Sequence, residues 1–369
     1  WSTLINCASS HIYLKQMNRK CESALENGAE PVRVLSSVLG QNYPSDELEY
    51  SWKKLMQNHP HDSICCCSVD EVQDEMATRF NKSKQVADYL VSEGTRYIAD
   101  KINTKEYEKY KNALPFVVFN TTGRKRTSVV SVEIDVTRKS GWLKKCAYDL
   151  DEINVPNYKL IDSAGNSIPF KIEDLGVRFG YDLPKDKFRQ PYMARRVRVT
   201  FEAENISAVG YKTYALVEGD AEKVTDTLVS GENCMENDAI RVEINKNGSL
   251  NVTDKASGRT YKGVAYYEET GDLGNEYMYK MPEGSKAITT QDTVAKIELA
   301  EDEPYRAMYK ITNTITVPKS GDDNFEDEKR HMVFFKERVG GRSNDTVEMK
   351  IETFVSLDKN GKGVKIKTR

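Results

Sequence analysis

The sequence predicts an α+β, multidomain protein: an N-terminal helical bundle of the three-helix type, followed by a β-sandwich-rich region. Three observations lead there. Up to about residue 112 the apolar residues recur at three- to four-residue spacing, the period of an amphipathic helix. After Leu114-Pro115 the period falls to two, with β-branched and aromatic residues in short runs. And 369 residues exceed the length of one typical compact domain.

The helical elements follow in order. Ile12, Leu14, Met17, Cys21 and Leu25 mark a helix over Ser10 to Gly28. Val32, Val34, Leu35, Val38 and Leu39 mark a short one. A third, from Pro44 to Gln57, carries Leu48, Trp52, Leu55 and Met56. The longest starts at a capping-box pattern, Ser68-Val-Asp-Glu71, and continues through Val72, Met76, Phe80, Val86, Leu90, Tyr97, Ile98 and Ile102. It is expected to run from Val69 to about Lys101, roughly 50 Å, a length suited to a bundle.

The strand signals come next. PFVVFN is a β-rich run, SVVSVEIDV alternates, and ARRVRVTFEA over 194–203 alternates with its basic residues outward. AIRVEINKNGSLNVTD places Asn247-Gly248 between two alternating runs, a hairpin signal. TVEMKIETFVS alternates again, and KSGDDNFEDEKR over 319–330 reads as an exposed loop. The expected division is a helical bundle over 1–112, a small β domain over 113–220 and the start of a large β-sandwich domain, truncated, over 221–369. The final GKGVKIKTR reads as a strand cut off in progress, and WSTLINCASS lacks an initiator Met and the features of a signal peptide, so a piece of a longer polypeptide is expected.

Composition narrows the class. Net charge is -3, which gives no reason to expect nucleic acid or an anionic membrane surface as partner. No run reaches the roughly 18–20 apolar residues of a membrane span. The seven cysteines are odd in number and three are consecutive, Cys65 to Cys67; neighbours rarely pair with each other. This is not a disulfide framework, and a reducing cytoplasm is the expected location.

Two of the four histidines lie within three residues, His59 and His61, with Asp62 next. Pro60 fixes its own φ and biases His59 towards extended geometry, so the stretch reads as a stiff connector between helices. Imidazole and carboxylate are both zinc donors, but zinc takes about four. The residues alone leave other readings open. His59 and Asp62 could cap helices with His61 an ordinary polar residue. Cys65, Cys66, Cys67 and His61 could form a structural zinc knuckle, although consecutive cysteines point in different directions. A cysteine nucleophile with His59 as base is a third option, with nothing to mark which cysteine.

The passage NHPHDSICCCSVDEVQDEMATRF resembles the signature of bacterial glycoside hydrolase family 38 α-mannosidases, in which His-Pro-His-Asp-Ser-Ile-Cys leads into a Ser-Val-Asp-Glu-Val helix. ASSHIYLKQMNRKCE is similar to the opening of that family's middle helical domain. VEINKNGSLNVTDKASGRTYKG and TGDLGNEYMYKMP resemble its central β domain. The resemblance covers nearly the whole chain.

It implies a retaining, zinc-dependent α-mannosidase acting on terminal α-linked mannose in oligosaccharides or mannosides. It further implies that His61 is a zinc ligand and that Asp62 contacts sugar hydroxyls in the −1 subsite. A sugar-lining tyrosine of the β domain is best matched by Tyr277, with Tyr279 as the other option. The family's nucleophile and acid are aspartates of an N-terminal α/β domain, which also carries a His-x-Asp zinc pair. No His-x-Asp occurs here, so no catalytic residue is assigned and the chain alone is expected to be inactive. Two departures stand out. Cys66 occupies the position of the Gly in the family's Ile-Cys-Gly-Cys, which adds strain if that position needs φ > 0. His11 stands where Arg is common. Homo-oligomer formation stays open, since members of the family dimerise or tetramerise. The alternative from another class is a non-catalytic carbohydrate-binding or assembly module.

Overall fold

The computed structural model describes residues 5–369 apart from 185, 223 and 276. It is an α+β protein, helical at first and built of β-sheets thereafter. The backbone forms two compact units. Among the described residues, the first comprises those of 5–102, 266–293 and 314–350, and the second those of 103–265, 294–313 and 351–369.

In the first unit, α1 (Ile12–Ala24) continues through one π-helical turn, Leu25–Ala29, into α2 (Glu30–Val38), so the two helices expected separately make one rod. Pro31 sits directly after the π-helical turn, where its missing N–H removes one bond of the rod's ladder. α3 (Ser45–Met56), the single turn α4 (His61–Ile64) and α5 (Asp70–Ala99) follow. α5 has 30 residues, roughly 45 Å, and packs against α1, α2 and α3. Its face of Met76, Phe80, Ala87 and Leu90 joins Leu14, Cys21, Leu25, Leu48 and Leu55 in one buried cluster. Burying each large apolar side chain contributes about 1.5–3 kcal/mol. Gly94 allows α2 its approach: a Cβ there would lie 2.5 Å from Val32 Cγ1. Two polar bonds fix the register, from Cys21 Sγ to the Phe80 carbonyl at 3.2 Å and from Ser51 Oγ to the Ser83 carbonyl at 2.9 Å.

The capping box does not form. The N-cap of α5 is Val69, without a side-chain cap, and Ser68 Oγ instead accepts from the Gln73 amide side chain. The helix starts one residue later than the motif requires, which turns the Ser68 hydroxyl towards the helix flank.

The second unit holds most of the strands. β1 (Leu114–Asn120), β2 (Arg126–Lys139), β3 (Tyr158–Asp162), β4 (Ser167–Ile168), β5 (Phe170–Asp182), β6 (Gln190–Ile206) and β7 (Gly210–Glu218) make two sheets, ordered β1-β7-β3-β4 and β2-β6-β5. Tyr158, Leu160, Tyr214 and Leu216 of one sheet and Val197, Val199 and Phe201 of the other share a core. On the opposite face of β6, Arg196 reaches Asp135 at 2.6 Å and Arg198 reaches Glu133 at 2.9 Å, so the basic outward stripe is answered by carboxylates of β2. α6 (Leu143–Asp151), which the sequence did not announce, covers β5 and β6 with Cys146 and Leu150 buried.

β8 (Val229–Gly231), β9 (Cys234–Glu236), β10 (Ile240–Ile244), β11 (Leu250–Asp254) and β12 (Thr260–Val264) form a meander. The hairpin at Asn247-Gly248 is present: Ile244 pairs with Leu250, and Gly248 takes φ 84°. β13 (Glu268–Glu269) and β14 (Ile288–Thr289) pair within the first unit. β15 (Lys296–Glu303), β16 (Arg306–Pro318), β17 (Thr346–Asp358) and β18 (Lys365–Thr368) make the last sheet. Ala307, Tyr309, Ile311, Val355 and Leu357 pack on Val242, Ile244 and Leu250. Residues 319–330 are not a loop throughout. Asp323–Arg330 is α7, N-capped by Asp322, whose carboxylate accepts from the Phe325 amide at 2.8 Å. Acidic residues in its first turn and Lys329-Arg330 in its last suit the helix dipole, which explains how so polar a segment holds a helix.

Candidate active site

The connector from α3 to α5 is pinned from both sides. Asn58 is fully buried and donates from Nδ2 to the Met76 carbonyl of α5 at 2.9 Å. His59 Nε2 meets Asn18 Oδ1 of α1 at 2.8 Å. Asn18 Nδ2 itself donates to Glu22 Oε1 at 2.8 Å, so its oxygen is the acceptor and His59 the donor. His59 is therefore a structural tie.

Pro60, at φ −49° and ψ 139°, turns the chain into α4. Its carbonyl accepts from the Ser63 and Ile64 amides, both at 3.0 Å. This single turn carries His61 and Asp62 at its start. Their side chains are 88% and 66% exposed, and His61 Nε2 lies 3.4 Å from Asp62 Oδ1. A polar pair this open is presented outward, not used to hold the helical core together. Asp62 is steadied from below: its carbonyl accepts from the Cys67 amide at 3.2 Å, and the Cys67 thiol lies 3.6 Å from Oδ1.

The three cysteines that follow go different ways. Cys65 and Cys67 are partly exposed, whereas Cys66 is buried in the helical core. Cys66 adopts φ 63°, the left-handed conformation that glycine takes without cost, and its amide donates to the Ser63 carbonyl at 2.9 Å. The position at which the resembling motif has glycine is thus one that needs it. His11, the other departure, is also left-handed, at φ 45°. Burial, with the nearby Cys65 thiol, pushes the Cys7 thiol above its ordinary value.

Tyr277 belongs to the same compact unit as His61 and Asp62. It is half-buried in a tight loop over 272–280. Asn275 Oδ1 accepts from the Tyr277 and Met278 amides at 3.0 and 2.9 Å, and Asp272 Oδ1 accepts from the Gly274 and Lys280 amides at 2.7 and 2.9 Å. Gly274 is obligatory there, since a Cβ would stand 1.7 Å from the Met278 carbonyl oxygen. Arg338 clamps the loop from outside, donating to the Leu273 and Gly274 carbonyls at 2.7 and 2.6 Å. Tyr279 spends its hydroxyl on Thr270 Oγ1 at 2.7 Å, which makes it an anchor of the loop. Asn275 and Arg338 were not foreseen; the Asp-x-Gly-Asn turn chemistry of the segment was the available signal for the first.

A zinc ion takes about four donors. His61 and Asp62 are donor types that suit it, but among the described residues no group of three or more His, Cys, Asp or Glu side chains comes together to hold a metal. The residues present fit one part of such a site and do not complete it. The four-residue cluster of Cys65, Cys66, Cys67 and His61 likewise does not converge.

Residues 3–98 match the model of the alpha mannosidase middle domain, and residues 111–218 match that of the glycosyl hydrolases family 38 C-terminal domain 1. The chain is 38% identical, over 99% of its length, to a protein of Halalkalibacterium halodurans named "Putative mannosylglycerate hydrolase", of which it covers 41%. It superposes on the crystal structure of an alpha-mannosidase from Enterococcus faecalis with a TM-score of 0.95 and 38% identity, over 100% of this chain and 42% of that one. A second Enterococcus faecalis structure, of a protein in glycosyl hydrolase family 38, gives a TM-score of 0.93 and 37% identity over 99% of this chain and 44% of the other. The chain thus spans about two fifths of the length of these relatives.

Proposed function

The chain belongs to glycoside hydrolase family 38, and from that premise we infer that it forms one wall of a retaining, zinc-dependent glycosidase that removes α-linked mannose from glycans or mannosides. The supporting observation is the His61–Asp62 pair, held outward on a one-turn helix whose connector is tied to both α1 and α5.

In this reading His61 holds the metal through its imidazole, with the remaining donors coming from outside these 369 residues. Bound zinc would supply Lewis-acid polarisation and a template for the sugar hydroxyls. Asp62 accepts hydrogen bonds from hydroxyls of the same sugar; its backbone is held by the Cys67 amide, and its Oδ1 lies beside the Cys67 thiol. Tyr277 borders the sugar, on a loop kept rigid by Asn275 and Arg338. Retaining hydrolysis needs two carboxyl groups about 5–5.5 Å apart, one to attack and one to protonate the leaving oxygen. No such pair is assigned in this chain, and both are expected from an N-terminal α/β domain. The helical region is read as a three-helix-type bundle, with boundaries near 112 and 220 dividing it from a small and a larger β domain.

The name of the Halalkalibacterium halodurans relative favours mannosylglycerate as one substrate within this class. The full-length gene product, assayed on an aryl α-mannoside and on α-mannosylglycerate before and after chelation and zinc restoration, tests the reading. Turnover lost on chelation and recovered with zinc is expected. Binding of mannosides without any hydrolysis would favour the non-catalytic carbohydrate-binding module instead.

A further inference from the structure

Outside the His61–Asp62 pair, Cys7 lies near Cys65, Cys67 and Lys15, and Lys15 in turn reaches Cys66. That last contact has unusual geometry. Lys15 Nζ of α1 lies 2.9 Å from Cys66 Sγ, across 51 residues of sequence. Both partners are held. Lys15 Nζ also donates to the Ser10 carbonyl at 2.6 Å, which fixes the amine at the start of α1. Cys66 is 5% exposed, part of the helical core, and locked in a left-handed turn by the Ser63 carbonyl. An amine and a thiol fixed this close have already lost the freedom that would otherwise oppose their joining. Lys15 is only half-buried, so a small oxidant can reach the pair from its side.

We propose that Lys15 and Cys66 are an oxidative modification site at which dioxygen links Nζ to Sγ through one bridging oxygen. The lysine first releases its ammonium proton to solvent. One Nζ–H bond and the Sγ–H bond then break, the O–O bond of dioxygen breaks, and Nζ–O and O–Sγ bonds form. The second oxygen leaves as water with the two hydrogens. Nitrogen and sulfur are oxidised and dioxygen is reduced, so no other reactant is needed. The result staples α1 to the turn behind α4 and closes the chain between residues 15 and 66, on the connector that presents His61. Two equivalents of dithiothreitol reverse it: each is oxidised to its disulfide, the Nζ–O and O–Sγ bonds break, the amine and thiol are restored, and the bridging oxygen leaves as water.

The competing product is a disulfide, since Cys7 faces Cys65. Cys66 is the least suited of the four to pair that way, because its polar neighbours are the Lys15 amine and, at 3.7 Å, the Ile64 carbonyl. The chain, equilibrated in air and then compared with a sample reduced by dithiothreitol, is analysed by intact mass and by peptide mapping. The expected oxidised species has gained one oxygen and lost two hydrogens, reverts on reduction, and joins the peptides that contain Lys15 and Cys66. It disappears in Lys15→Arg and in Cys66→Gly. A species that has lost two hydrogens only and maps to Cys7 and Cys65 would overturn the proposal. So would oxygen added to Cys66 without attachment to Lys15, or no oxidised species at all. The wild-type peptide map decides the matter even if a variant fails to fold.

Discussion

His59 Nε2 and Asn18 Oδ1 are 2.8 Å apart, joining the α3–α5 connector to α1 across 41 residues of sequence. Of the two histidines in the motif, one is spent on this tie and the other stands open. His59→Ala is expected to lower unfolding free energy by about 1 kcal/mol, the usual worth of a side-chain hydrogen bond. Asn18→Ala removes this bond and the one to Glu22, so it should cost somewhat more, and the double variant little more than Asn18→Ala alone, because the His59–Asn18 bond is shared. Denaturant unfolding of the four proteins in a double-mutant cycle measures it; strict additivity would place the two residues apart.

Cys66 at φ 63° gives a comparison in which the thiol cancels. Cys66→Ala and Cys66→Gly both remove the sulfur, but only glycine relieves the left-handed conformation, whose cost to an L-residue is roughly 1–2 kcal/mol. Glycine's greater unfolded-state freedom takes back about 0.5–1 kcal/mol. The Gly variant should therefore be the more stable of the two by about 0.5–1 kcal/mol in chemical denaturation.

Gly274 has no room for a methyl group, with the Met278 carbonyl 1.7 Å from where it would sit. Gly274→Ala should open the 272–280 loop and displace Tyr277. In the full-length enzyme the expected outcome is a several-fold rise in KM for a mannoside with zinc content unchanged. An unaltered KM would separate Tyr277 from the sugar.

Burial pushes the Tyr214 hydroxyl from 10.0 up to about 12. The folded-state value is raised, so its contribution is complete below the unfolded value and is lost as pH climbs from 10.0 to about 12. A shift of this size corresponds to about 2–3 kcal/mol. Wild type should lose stability across that window, and Tyr214→Phe should lose correspondingly less, measured by urea midpoints at stepped alkaline pH.

Helix and strand periods were legible because burial is one-sided along them: Met76, Phe80, Ala87 and Leu90 face inward on α5, and Val197, Val199 and Phe201 on β6. α6 was not, since nine residues with two buried ones leave too little period to read. α7 reads as a loop in sequence because its stability rests on the Asp322 cap and end charges, with no buried residue. In the site, His61 and Asp62 stood out by composition and motif, and the strain at Cys66 followed from the glycine it replaces. Lys15 and Asn18 did not, because their contacts join positions 51 and 41 residues apart. Nothing local in a sequence marks such pairs.

The most direct test of the central claim is the zinc content of the full-length His61→Ala protein, determined by elemental analysis alongside mannoside turnover. Loss of stoichiometric zinc together with loss of turnover is the predicted result, with His59→Ala keeping both. Full zinc occupancy and an unchanged rate in His61→Ala would contradict the assignment of His61 to the metal.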